Sequence, residues 1–217
     1  MRREESLKSE LAADKIDAEK IVLLIKADPS LVDSVLRELS NKAARVRFGC
    51  SKSLLVLSEK RPDLLYPKVE KIIGLLESEN QVLKWNAIAM LGNLAALDQG
   101  RKIRAVLQRF YGFLSSGELI TANNAIAALG KIGRAFPEER KSIVLHLLGI
   151  GKAVFDTDEC RNIAIGKSIL AIEMFLDPAE ARKEVLDFVK SQTDNRRKAT
   201  AEKAKAFLHK FQAAAHS

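Results

Sequence analysis

Aromatic residues are scarce in this chain. They fill 6 % of its 217 positions, and Trp85 is the only tryptophan. A β-sandwich draws heavily on Val, Thr, Tyr and Trp, so a core supplied mainly by Ala, Leu and Ile points to closely packed helices instead. Glycine and proline are also few, at 11 and 5, which excludes a loop-rich or low-complexity protein. The two cysteines, Cys50 and Cys160, lie 110 residues apart and form no CxxC pair. They fit buried thiols in a reducing compartment and exclude a disulfide framework. No apolar run reaches the roughly 18 residues of a membrane span. The stretch MRREESLKSELAADK has basic residues but lacks the apolar segment of a secretory signal. A cytoplasmic protein with no membrane partner is expected.

Catalytic signatures are absent as well. The histidines His146, His209 and His216 stand at no metal-ligand or catalytic spacing from a Cys, Asp or Glu. No GxxxxGK[ST], HExxH or GxSxG run occurs. The expectation is therefore no catalytic residue, no metal and no cofactor.

What the chain does have is a period. Asn86, Asn124 and Asn162 stand 38 residues apart, in the similar stretches KWNAIAMLGNLA, NNAIAALGKIGR and RNIAIGKSILAI. RFGCSKSLLVLS precedes the first by 37 residues, and KATAEKAKAFLH follows the last by 38. A repeat of this length with helical spacing throughout is the mark of stacked helical hairpins. Paired helices are predicted over 30–39 and 42–58, then up to 77 and 81–97, 101–114 and 119–135, 137–152 and 159–175, and 177–191 and 195–211. One more helix is expected at 18–27, with a polar helix or arm before it.

Punctuation supports these limits. Proline is tolerated in a first helical turn, and Asp28-Pro29 and Asp177-Pro178 place an aspartate able to cap just before one. Pro62 and Pro67 bracket the start of another helix. Gln99-Gly100 and Ser115-Ser116-Gly117 separate helices, and Asp156 and Asp158 can cap the helix at 159–175. Val69, Ile72, Ile73, Leu75 and Leu76 form an apolar stripe at helical spacing, as do Ala87, Met90, Leu91 and Leu94.

The stretches VLKWNAIAMLGNLA and ITANNAIAALGKIG resemble the second helices of HEAT-type repeats, with armadillo-type repeats close behind. The best shared motif is the Ala87–Leu91–Gly92 run and its copy Ala125–Leu129–Gly130. Leu54-Leu55 and Lys167 depart from it. The resemblance implies an all-α, right-handed α-solenoid of about five HEAT-like hairpins. Residues 18–217 would form a single repeat domain, with 1–17 as a polar arm or short helix. It also implies a non-enzymatic scaffold that engages a protein partner through a concave face lined by the second helices. A minority of such proteins bind nucleic acid, and a DNA glycosylase-like variant is the enzymatic alternative.

The recurrent positions of the second helices are the candidate contacts. Asn86, Asn124 and Asn162, with the neighbouring Asn123, form a ladder of amides. Armadillo repeats use such a ladder to pair with the backbone of an extended peptide; the alternative is that each amide fixes the stack by bonding a neighbouring helix end or loop. Phe48 and Trp85 can anchor a partner's side chain or pack over an adjacent helix start. Arg45, Lys84, Arg161 and Lys198 supply steering charge, or form an ordinary solvated face. The net charge of +8 fits an acidic protein surface or extended segment, and leaves nucleic acid as an alternative ligand.

Overall fold

The structure, a computed structural model, describes residues 2–177 and 183–215, and the side chains of residues 3–177 and 183–211. Pro178 and His216 lie outside the described residues. Among the described residues every regular element is helical. The chain divides into two compact units, Met1–Arg104 and Ala105–Ser217.

The first unit contains α1 (Arg2–Ala12), α2 (Ala18–Ala27), α3 (Leu31–Arg37), α4 (Ala44–Lys60), α5 (Pro62–Leu65), α6 (Val69–Gly74) and α7 (Gln81–Leu94). The long α4 packs on both α2 and α7, while α3 covers α4 and α6 covers α7. Each is therefore one member of a stacked hairpin. Ile21, Ile25, Val35, Leu54, Leu57, Ile72, Ile88 and Leu91 are fully enclosed between them. At about 25 cal/mol per Å² of apolar surface buried, this continuous core is what holds thin hairpins that could not stand singly. Ion pairs stitch the edges of successive hairpins. Asp33 on α3 takes both Lys68 at 2.5 Å and Lys71 at 2.8 Å, and Glu70 takes Lys102 at 2.7 Å.

The second unit contains α8 (Leu107–Leu114), α9 (Leu119–Ala135), α10 (Arg140–Gly149), α11 (Asp158–Glu173), α12 (Lys183–Ser191) and α13 (Lys198–Ala215). Here α11 packs on both α9 and α13, with α8, α10 and α12 as the outer partners. Close approach is set by glycine. A Cβ on Gly130 would sit 3.2 Å from the Cα and Cβ of Ala171, and one on Gly166 would sit 2.7 Å from Oγ1 of Thr200. Glycine at these two positions lets α9 meet α11, and α11 meet α13, without displacing those neighbours. The stacked hairpins expected from the repeat are thus present within each unit.

Several local expectations are corrected. The helix predicted from residue 101 begins at Leu107, after a tight turn over Arg104–Val106. The cause is Asp98, which is buried. Its carboxylate accepts the N–H groups of Lys102, Ile103 and Arg104 at 2.9–3.1 Å, and the Tyr66 hydroxyl at 2.9 Å. That grip holds the chain in a loop in which Arg101 takes a left-handed φ of 54°, a region that disfavours any side chain. Thr157, rather than Asp156 or Asp158, caps α11 by accepting the Cys160 N–H at 3.1 Å. Asp28 accepts the N–H of Ser30 at 3.2 Å, so it closes the turn before α3 and bonds no N–H within it. Cys160 is half-buried rather than buried.

Candidate functional site

The second helices α4, α7, α9, α11 and α13 each turn one stripe outward, because their other faces are occupied by neighbouring helices. On α4 that stripe carries Arg45, Phe48 and Lys52, and on α7 it carries Val82 and Trp85. These positions recur every three or four residues, the spacing that keeps side chains on one helix face. Phe48 and Trp85 are both half-buried. The guanidinium of Arg47 lies 5.0 Å from the centre of the Phe48 ring, a cation–π contact. Arg45 donates to the carbonyls of Leu11 and Ala13. It closes the C-terminal end of α1, where unsatisfied carbonyls and the helix dipole favour a cation. Lys84 is half-buried on α7 and makes no ion pair within the described residues.

The amides split by role. Asn86 donates to Oγ of Ser51 at 2.8 Å, joining α7 to α4. Asn162 accepts from the Asn195 amide at 3.0 Å, and its main-chain carbonyl accepts the Thr200 hydroxyl at 2.8 Å, joining α11 to the start of α13. Asn124 donates to the carbonyl of Ile120 at 2.9 Å, within its own helix. Asn123 has its side-chain oxygen buried without a hydrogen-bond partner. Equal spacing in the sequence therefore does not give equal surroundings. Asn86 and Asn162 brace adjacent hairpins, whereas Asn124 remains on the partly exposed stripe of α9.

The cations also divide. Arg161 is paired with Asp158 in the same helix. Arg197 on the α13 side is paired with Glu159 of α11. Lys198 is exposed and stands 3.9 Å from Glu202. In the second unit, Lys167 and Lys203 carry no ion pair among the described residues. The sequence pattern left Lys167 as a departure from the repeat; its position on α11 makes it part of the exposed stripe. Ile120, Leu170 and Met174 were not marked either, yet they are exposed at 52 %, 40 % and 42 %. Their signal was the same three-or-four spacing, hidden because apolar residues on a helix are read first as core.

Other features offer less chemistry. A groove of about 900 Å³ lies over α10 and α12, lined by Val144, Leu145, Leu148 and Val185 with Glu138 and Arg140. Burial pushes the Cys50 thiol up to about 12, so it is no thiolate nucleophile. Among the described residues no group of His, Cys, Asp and Glu side chains is placed to hold a metal ion, and no helix is long and apolar enough to cross a membrane.

A designed armadillo-repeat protein solved with a (KR)4 peptide superposes with a TM-score of 0.64, over 96 % of this chain and 92 % of that one, at 15 % identity. The fold is that of an all-α, armadillo-like repeat protein. A second designed armadillo-repeat protein gives a TM-score of 0.58 at 14 % identity, covering 94 % of this chain and 97 % of that one. An engineered protein gives 0.62 at 16 % identity, covering 89 % and 85 %. No family model matches the chain, and no curated protein does. The likeness to armadillo repeats is thus one of fold.

Proposed function

We propose that this armadillo-like repeat protein is a non-enzymatic module that binds another protein through the outward stripes of its second helices. The observation that carries the reading is the run of exposed and half-buried apolar side chains there: Phe48, Val82 and Trp85 in the first unit, and Ile120, Leu170 and Met174 in the second. Apolar side chains turned to water on the ordered face of a repeat stack favour a partner that covers them. Phe48 and Trp85 serve as anchors and Lys84 as a neighbouring charge in the first unit, and Asn124 serves as a polar contact and Lys198 as steering charge in the second. Arg45, Asn86, Arg161 and Asn162 have their polar groups bonded within the chain, so their part is to hold the face in shape.

The peptide in the structural neighbour is (KR)4, a cationic sequence. This chain carries a formal charge of +8, so electrostatics favour a partner of opposite sign. Nucleic acid is the second reading, and that same charge supports it. The ion pairs at Arg161 and Arg197 count against it, because they remove two cations from any row that would follow a phosphate backbone. Affinity capture of the cellular partner by the wild-type chain and by Trp85→Ala (W85A), run beside a DNA mobility assay across salt concentrations, separates the two. Loss of capture with W85A supports the protein reading. Tight DNA binding that falls log-linearly with salt and ignores Trp85 supports the other.

A further inference from the structure

The stripe on α11 reads Ile163, Lys167, Leu170, Met174, each step being three or four residues, so the four side chains share one face. Leu170 and Met174 are exposed at 40 % and 42 %. Lys167 is exposed between the apolar members and makes no ion pair among the described residues. Lys203 reaches this face from α13. Its Cδ lies 3.5 Å from where a Cβ on Gly166 would be, so its stem is laid across α11 at the residue next to Lys167. Among the described residues Lys203 has no ion-pair partner either. The acids of α11 are paired with other cations, Asp158 with Arg161, Glu159 with Arg197 and Glu173 with Lys210, and Glu202 of α13 stands 3.9 Å from Lys198. Partial burial, with the positive charges of Lys167 and Arg197 nearby, holds the Lys203 ammonium below the usual lysine range. Two like charges in one place without a counter-ion are unfavourable unless an anion comes between them.

We propose that the partner's docking segment is both acidic and apolar, and that it lies along α11 and α13 with a carboxylate between Lys167 and Lys203 and a large apolar side chain against Leu170 and Met174. This rests on the protein-binding reading and names the partner's chemistry. Methionine suits such a surface, since its flexible thioether adapts to different apolar shapes. The stripe has no aromatic ring for base stacking, and stacking platforms are what single-stranded nucleic acid uses. An acidic peptide with apolar residues three or four positions away matches the stripe's own spacing.

Selection of a random displayed peptide library on the immobilised full chain tests this. The expected winners combine Asp or Glu with Leu, Met or Phe three or four positions away. Their affinity should fall about tenfold or more for the Lys167→Glu, Lys203→Glu double variant, and again for Leu170→Ser. Exchanging the peptide's acid for Lys should restore binding to the double variant. Far-UV circular dichroism and thermal melting establish that each variant is folded, and Leu170→Ala replaces Leu170→Ser if the serine unfolds the helix. Winners without acidic residues, no winners at all, or affinities indifferent to both variants would overturn the proposal. So would an oligonucleotide whose binding is lost in the lysine variant and unchanged by Leu170→Ser. Trp85 lies in the other unit, so partner capture that still depends on Trp85 would leave the broader protein-binding reading standing while this inference fell.

Discussion

Asn86 on α7 donates its amide to the hydroxyl of Ser51 on α4 at 2.8 Å. One heptad further along the same two helices, Asn93 donates to Ser58, also at 2.8 Å. Ser51 and Ser58 are both buried, so these are clasps inside the stack and water does not replace a missing partner. They set the register of one hairpin on the next, which the apolar core alone leaves loosely specified.

Asn86→Ala should therefore cost about 1–2 kcal/mol, since it strands the Ser51 hydroxyl in the core. The Ser51→Ala, Asn86→Ala double variant should recover part of that loss. Asn124→Ala should stay within about 0.5 kcal/mol, because it removes only a bond from a partly exposed side chain to its own helix. Urea midpoints of the variants measure this, and an Asn124→Ala loss as large as that of Asn86→Ala would refute the division of roles.

Asp98 is the hub of the loop before α8, with three main-chain N–H groups and the Tyr66 hydroxyl bonded to one buried carboxylate. Asn would place an amide N–H₂ against donors. Asp98→Asn should cost about 2–4 kcal/mol, and Tyr66→Phe about 1 kcal/mol. Hydrogen exchange at the amides of Lys102, Ile103 and Arg104 should quicken in Asp98→Asn. Unchanged exchange there would mean that the carboxylate does not hold the loop.

Asp33 gives the first unit an acid-sensitive edge. Hydrogen bonds from Lys68 and then Lys71 hold its carboxyl down at about 2, below the ordinary 3.8. A depressed folded-state pKa stabilises above the unfolded value, and that contribution is lost as pH falls from about 4 through about 2. The side chain is 41 % exposed, so screening by solvent keeps the contribution below about 1 kcal/mol. Wild type should lose its margin over Asp33→Asn across this window, and added salt should shrink the margin at neutral pH. A margin that persists at the acid end would refute the ion-pair account.

The repeat's architecture was legible because it depends on spacing. The helix limits 18–27 and 119–135 fall where the apolar pattern put them, and Pro62 opens α5 as proline in a first turn should. What spacing could not show was which neighbour each polar group finds. Asn86, Asn124 and Asn162 look equivalent at 38-residue intervals, yet the partner of each depends on a different element: a serine on α4, a carbonyl one turn back, and an asparagine before α13. Asp98 was overlooked because a lone aspartate before Gln99-Gly100 reads as a turn residue. Its four donors come from Tyr66 and the next loop, and only folding brings them together. Leu170 and Met174 were hidden by the same ambiguity, since apolar residues at helical spacing mark a core face and a docking face alike.

Glycine packing is a further consequence of the stack. Gly130→Ala pushes a methyl group to 3.2 Å from Ala171, and Gly166→Ala places one 2.7 Å from the Thr200 hydroxyl. Each should destabilise by about 1–3 kcal/mol through overpacking, more than offsetting the helix propensity gained. Gly112→Ala, where nothing lies within 4 Å, should instead stabilise by up to about 1 kcal/mol. Thermal melts of the three variants decide it, and equal stabilisation in all three would contradict the close approach of α9, α11 and α13.

The most direct measurement is the affinity of the captured partner for wild type and Trp85→Ala across a range of salt concentrations. Binding through the apolar stripes predicts a loss of at least about tenfold with W85A at every salt concentration, and a shallow dependence on salt. Binding that ignores Trp85 and falls steeply and log-linearly as salt rises would contradict it.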